Sequence, residues 1–261
     1  MPHSSLKSRF SAQQSLLGLF YKTPSPMIAE VLAQTPLDLI VLDAEHAPFD
    51  PLSTDQCIAI FRLAGMPVLV RPPASRPEYI QYALDSGADG ILAPHIDSPD
   101  KARQLVQACY YGNGHRGFAG TTRAADFGRK SMQAHLDTSN NRTTVVAMLE
   151  DVHALDHIEE ILAVDGIDAF FIGRADLAAA LGETSVLSER AMDVCGQIVA
   201  TAKRLNKCIG MFTPGVDDAN YWKAKGVPFF FTSSDHALLL QGAANLAESF
   251  DMGNKGSGKA R

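Results

Sequence analysis

The sequence predicts a single-domain (β/α)8 barrel of the α/β class, and three observations carry that prediction. A strand-then-helix rhythm repeats eight times from end to end. The 261 residues match the roughly 250 typical of one such barrel. Charged groups stand where short apolar runs end: Asp43, Glu45 and His46 after LDLIVL, Arg71 after PVLV, Glu150 after TTVVAML, and Asp176 just beyond IDAFFIG. Buried parallel strands read as continuous apolar runs, and α/β proteins gather their chemistry at the carboxyl ends of those strands. The pattern alone also allows an open doubly wound sheet. The count of eight, with right-handed crossovers, favours closure.

Taken in order, the apolar runs place strands at 17–22 (LGLFYK), 37–44, 67–72, 89–94, 144–150, 167–172, 207–212 and 227–232. Amphipathic stretches between and after them place helices at 25–34, 51–64, 76–86, 98–109, 153–163, 188–205, 215–225 and 236–249. Two segments break the rhythm. Residues 110–142 form an overlong connection rich in Gly, Arg, Asn and Thr, which reads as a functional loop or a mobile lid. Residues 1–252 then make the barrel domain, and 253–261 (GNKGSGKAR) read as a disordered tail.

Composition narrows the function classes. With 46% hydrophobic and 20% charged residues, the chain is an ordinary globular protein able to bury a large core. A formal net charge of -6 argues against nucleic-acid binding. No apolar run approaches the roughly 18 residues of a membrane span, and the first residues lack the apolar core of a secretory signal. Cys57, Cys109, Cys195 and Cys208 lie in apolar or helical contexts without CxxC spacing. They read as buried free thiols, which fits a reducing cytoplasm.

The strand-end residues suggest an anionic pocket ready for a metal. Glu150 and Asp176 follow adjacent strands. Two carboxylates meeting there repel unless a cation lies between them, and oxygen ligands with open positions suit Mg²⁺ or Mn²⁺. Either acid could instead cap a helix or pair with an arginine at the rim. Asp43 stands three residues before His46, an arrangement that can orient an imidazole as a general base. Alternation along the strand would turn Glu45 behind the sheet. Arg71, before Pro72 and Pro73, offers a planar fork for a carboxylate or an enolate oxygen, or a structural ion pair with Asp43 or Asp85. Gly173, Arg174, Ala175 and Asp176 form a strand-to-helix turn whose N–H groups could receive a carboxylate. Only Lys22 is a lysine at a strand end, so imine chemistry is not expected.

These motifs resemble the HpcH/HpaI aldolase family, the metal-dependent class II pyruvate aldolases of the phosphoenolpyruvate/pyruvate barrel superfamily. The resemblance spans roughly 15–250. It is carried by LDAEHAPFD at 42–50, VLVRPP at 68–73, LDSGADGILAPHIDSPDKA at 84–102, GHRG at 114–117, RAADFG at 123–128, MLED at 148–151, VDGIDAFFIGRADLAAALG at 164–182 and SSDHALLL at 233–240. It implies a TIM barrel that assembles as a hexamer, a dimer of trimers, with the C-terminal helix exchanged between neighbours.

By the same resemblance, His46 is the base, working through Asp43 and a water. Arg71 stabilises the enolate, and Asp85 tunes the basicity of the His46 dyad. Glu150 and Asp176 ligate Mg²⁺, Mn²⁺ or Co²⁺. Ala175 and the neighbouring amides hold the keto-acid carboxylate. The implied reaction is reversible aldol cleavage of a 4-hydroxy-2-oxo acid to pyruvate, or a related 2-oxo acid, and an aldehyde.

Three departures bear on the substrate. Met148 replaces the family's usual glutamine, Arg174 its usual proline, and Gly112-Asn113 the two prolines that follow tyrosine before the GxRG loop. Arg174, His115, Arg116, Arg123 and Arg129 suggest a basic mouth, and hence a substrate with a second carboxylate or other anionic tail. The main alternative is a citrate-forming condensation of oxaloacetate with acetyl-CoA tied to siderophore biosynthesis. A silent keto-acid-binding barrel is a further one.

Overall fold

The computed structural model describes residues 5–112 and 114–256. Eight parallel strands close into a barrel in sequence order: β1 (Leu16–Tyr21), β2 (Leu39–Asp43), β3 (Val68–Arg71), β4 (Gly90–Ala93), β5 (Thr144–Leu149), β6 (Ala169–Ile172), β7 (Ile209–Phe212) and β8 (Phe229–Ser234). β8 pairs with β1, which excludes the open sheet. The helices wrapping the barrel include α2 (Pro26–Leu32), α3 (Pro51–Ala64), α4 (Pro77–Asp85) and α5 (Pro99–Cys109), with α1 (Leu6–Ser11) ahead of them. Proline opens α2 to α5, where its missing N–H costs nothing and its fixed φ suits a first turn. Asp50 and Ser53 close a reciprocal capping box on α3.

Strand alternation builds two apolar layers and also sets the site. Leu39, Val41, Leu69, Leu92, Val146, Met148, Phe171, Phe229 and Phe231 belong to the layer filling the barrel, while Ile40, Leu42, Val68 and Val70 pack in the layer beneath the helices. Continuing the inward phase by two residues turns Asp43, Arg71 and Glu150 into the carboxyl mouth. Phe10 of α1 plugs the amino end, its ring centroid 4.7 Å from that of Phe229. Gly18 and Gly210 leave room for the inner phenylalanines: a Cβ would lie 2.4 Å from the Phe231 ring and 2.3 Å from the Phe229 ring, respectively.

Several elements depart from the sequence expectation. α1 was not foreseen. The 110–142 connection carries a 3-10 segment (Arg123–Gly128) and a helix, α6 (Met132–Arg142). It joins α5 to β5, so it lies at the amino ends of the strands and is not a lid over the carboxyl mouth. Arg116, Lys130 and Arg142 accordingly share a small cavity with Asp89 and Thr143, the residues just before β4 and β5.

A 3-10 segment (Val152–His157) and α7 (Ile158–Leu162) divide the helix expected at 153–163. The turn after β6 becomes a short helix, α8 (Arg174–Ala180), followed by α9 (Glu189–Arg204) and α10 (Val216–Ala224). The last helix, α11 (Asp235–Gly256), continues through 253–256, where a tail was expected; 257–261 lie outside the described residues. All four cysteines are free and buried. No described helix is long and apolar enough to cross a membrane.

Gly210→Ala forces a methyl group into the Phe229 ring. We expect a loss of about 1–3 kcal/mol, the usual cost of overpacking, read as a lower urea midpoint at unchanged m-value.

Candidate active site

Asp43 and Arg71 face each other in register at the ends of β2 and β3. The guanidinium donates from Nε (3.0 Å) and Nη2 (2.8 Å) to the two carboxylate oxygens, and both residues are buried. Asp43 Oδ1 also accepts the backbone N–H groups of Glu45 (3.2 Å) and His46 (3.1 Å). Lys22 Nζ stands 3.6 Å from Oδ2. Burial pushes the Asp43 carboxyl up, but Arg71, the His46 N–H and Lys22 outweigh it and hold the group below the ordinary carboxylate range. The sequence expectation is thereby refined: Asp43 holds the His46 main chain rather than its imidazole. The His46 ring is half exposed, with Nε2 3.7 Å from Glu45 Oε2.

Glu45 itself does not point behind the sheet. β2 ends at Asp43, so strand alternation no longer governs it. Its carboxylate turns into the mouth, 3.3 Å from Arg71 Nε and 3.5 Å from Nε2 of His95. His95 is a site residue that the sequence reading passed over, although it follows β4 as His46 follows β2. It takes a left-handed backbone conformation (φ 57). There its N–H donates to Glu150 Oε1 at 2.9 Å, and its Nδ1 lies 3.1 Å from Asp151. Burial lowers the His95 pKa, but Glu150, Asp151 and Glu45 together raise it above the ordinary value.

Glu150 is 2% exposed, and its Oε2 is buried without a hydrogen-bond partner. Burial raises its pKa to about 7; the His95 N–H and ring oppose the rise, and Asp176 and Glu45 add to it. Gly173 makes the arrangement possible, since a Cβ there would stand 2.5 Å from Glu150 Oε2 and 3.2 Å from the Met148 methyl. An orphaned buried oxygen beside a second carboxylate is the environment a divalent cation relieves. Among the described residues no group of three or more His, Cys, Asp or Glu converges to hold an ion alone. Two carboxylates with open positions fit Mg²⁺ or Mn²⁺, which keep waters or take substrate oxygens.

Asp43, His46, Arg71, Met148, Gly173, Ala175 and Asp176 line one cavity of about 600 Å³, with Phe20, Lys22, Phe212 and the start of α11. Glu150 lies buried behind Gly173, and two predicted side chains fall elsewhere. Asp85 ends α4, which returns the chain towards the amino end of β4; it pairs with Arg116 at 2.8 Å and lines a separate groove with Asp55 and Tyr82. Within this chain, Asp85 is therefore not placed to tune His46.

Arg174 contributes only its backbone to the cavity wall. Successive helix residues point about 100° apart, so Ala175 and Asp176 face the cavity while the Arg174 side chain turns behind it. There it pairs with Asp218, donates to the Val186 carbonyl at 2.8 Å, and lies over the Trp222 ring. Arg116 and Arg123 are likewise paired, with Asp85 and Asp55, away from the cavity. These three arginines do not make the expected basic mouth, and neither His115 nor Arg129 lines the cavity.

A family model described as HpcH/HpaI aldolase/citrate lyase matches residues 16–241. A hydroxypyruvate/pyruvate aldolase of Paraburkholderia phytofirmans is 31% identical over 245 residues, covering 90% of this chain and 93% of the relative. A 5-keto-4-deoxy-D-glucarate aldolase of Salmonella arizonae is 32% identical over 247 residues, covering 94% and 95%. The crystal structure of an HpcH/HpaI aldolase/citrate lyase family protein from Burkholderia cenocepacia superposes with a TM-score of 0.89 at 30% identity, covering 94% of this chain and 98% of that one.

Two measurements test this geometry. Asp218→Ala strands a buried guanidinium, and we expect about 3 kcal/mol or more of lost stability in chemical denaturation; a side chain lying free at the mouth would give little. In chelated protein, folded Glu150 keeps its proton up to about pH 7, whereas the unfolded chain releases it near 4.5. Stability therefore falls as pH rises between those values, and Glu150→Gln should flatten that decline.

Proposed function

Because the chain belongs to the HpcH/HpaI aldolase/citrate lyase family, we propose that it is a class II, divalent-metal-dependent carbon–carbon lyase. It cleaves a 4-hydroxy-2-oxo acid reversibly into pyruvate, or a related 2-oxo acid, and an aldehyde. The observation that carries this reading is the meeting, in one cavity, of a buried Arg71–Asp43 pair, the accessible His46 imidazole and Asp176, with a Glu150 oxygen that has no partner among the described residues buried behind Gly173 of its wall.

Glu150 and Asp176 would hold the ion, with Mg²⁺, Mn²⁺ and Co²⁺ as candidates. When bound, it supplies Lewis-acid polarisation of the 2-oxo group. The backbone at Gly173, Arg174 and Ala175 receives the substrate carboxylate, and Met148 packs beside it. His46, through a water, takes the proton of the C4 hydroxyl. The C4–O bond becomes a carbonyl, the C3–C4 bond breaks, and its electron pair passes to the pyruvate enolate. Arg71 directs Nε and Nη2 to Asp43; Nη1 makes no hydrogen bond among the described residues and is the donor for the developing enolate oxygen. A proton returned to C3 completes cleavage, and the reverse sequence is aldol addition.

The citrate-forming alternative rests on a basic mouth and on Met148 standing where the family has glutamine. Arg174, Arg116 and Arg123 instead face Asp218, Asp85 and Asp55. We extend the proposal to assembly as a hexamer, a dimer of trimers, with α11 exchanged between subunits. The exposed Leu239, Leu240, Leu246 and Phe250 along that helix support the extension.

Purified protein with Mn²⁺, pyruvate and short aldehydes should yield 4-hydroxy-2-oxo acids by chromatography and mass spectrometry. Arg71→Ala should lower kcat by roughly 10²–10³ and His46→Ala by roughly 10²–10⁴. Wild-type turnover in both variants would overturn the assigned roles.

A further inference from the structure

The cavity is larger than its chemistry centre requires. At about 30 Å³ per water, 600 Å³ holds on the order of 20 waters, whereas pyruvate has few heavy atoms. Beyond Gly173, Ala175 and Asp176, the cavity is walled by Phe20 and Lys22 at the end of β1, by Thr232 to Ser234 of β8 and by the start of α11. Three cationic residues line the cavity. Arg174 turns its guanidinium away to Asp218, and Arg71 is held bidentately by Asp43. Among the described residues Lys22 has one ionic contact, to Asp43 at 3.6 Å, and keeps 28% of its side chain exposed. Asp43 does not need this lysine as a structural partner, because Arg71 and two backbone N–H groups already occupy it.

Lys22 also stands on a fixed base. The buried Asp235, at the start of α11, accepts the backbone N–H groups of Lys22 (2.8 Å) and Thr23 (3.0 Å). A flexible stem on an anchored backbone presents a point charge to a ligand in the cavity.

Building on the aldolase reading, we propose that Lys22 is a specificity-determining residue that pairs with a carboxylate on the aldehyde half of the substrate. The preferred aldehydes are then oxo acids rather than neutral aldehydes. A lone ammonium in a cavity that also carries Asp43 and Asp176 suits a monoanion better than a phosphate dianion. The anionic tail inferred from the sequence is retained, but its partner is the lysine ending β1 and not the arginines.

The test compares 4-oxobutanoate with butanal as acceptors for pyruvate, with Mn²⁺ present, in wild-type enzyme and in Lys22→Met, Lys22→Arg and Lys22→Glu. The wild type should favour the oxo acid by about tenfold or more in kcat/KM. Lys22→Met should lower that ratio about tenfold, chiefly through KM for the acceptor. Lys22→Arg should keep it within about threefold, and Lys22→Glu should reverse the preference. An unchanged ratio in Lys22→Met, or an equal fall with both acceptors, overturns the proposal. So does borohydride trapping of pyruvate on Lys22, which would make it an imine-forming lysine. A wild type that adds pyruvate to neither acceptor, or to any other aldehyde, sinks the aldolase reading itself. Activity with both acceptors at equal efficiency sinks only the role of Lys22.

Discussion

The ion pair between Asp43 and Arg71 is the constraint on which the site depends. Register places the two residues side by side on β2 and β3, and alternation turns both inward. Burial makes the pair obligatory, since removing one partner of such a pair typically costs about 3–5 kcal/mol. Asp43 then uses its remaining acceptor capacity on the Glu45 and His46 N–H groups, which shapes the loop that carries His46, the proposed base. Arg71 lies over the Phe20 ring with its carbon 4.8 Å from the centroid, so an aromatic wall helps fix the guanidinium plane. The contacts run on from Glu45 to His95 and from His95 to Glu150.

This network leaves the mouth with a surplus of acids. Asp43, Glu45, Glu150, Asp151 and Asp176 face Arg71, Lys22 and His95, whose pKa burial lowers but Glu150, Asp151 and Glu45 together raise. The imbalance is sharpest at Glu150, where burial and two neighbouring carboxylates raise the pKa to about 7 and one oxygen lacks a partner. The site is thus poorly satisfied in the protein alone, and both a proton and a divalent cation relieve it. Competition between the two would link the affinity of the proposed cation to pH.

The barrel was legible in the sequence because its inner strands are continuous apolar runs, and the charged residues ending those runs marked the mouth. Asp43, His46, Arg71, Met148, Gly173, Ala175 and Asp176 line the predicted cavity, with Glu150 buried beside it. The misreadings have definite causes. Arg174 was counted towards the cavity by proximity to Asp176, but helix geometry sends adjacent side chains in different directions. The length of the 110–142 connection suggests a functional loop or a mobile lid, but its place between a helix and the next strand puts it at the opposite end of the barrel from the mouth. Glu45 was assigned to the back of the sheet by an alternation that stops at Asp43. His95 gives the same strand-end signal as His46, but Asp97, the acid nearest it in sequence, pairs with Lys101; its carboxylate partners follow β2 and β5 and become visible only once the barrel closes.

The central claim is that the carboxylate surplus at the mouth is resolved by one divalent cation on Glu150 and Asp176. Mn²⁺ titration followed by electron paramagnetic resonance tests it most directly. The account predicts one ion per chain in the wild type, and binding weakened by about tenfold or more in folded Glu150→Gln and in folded Asp176→Asn. Unchanged Mn²⁺ affinity in both variants would contradict it.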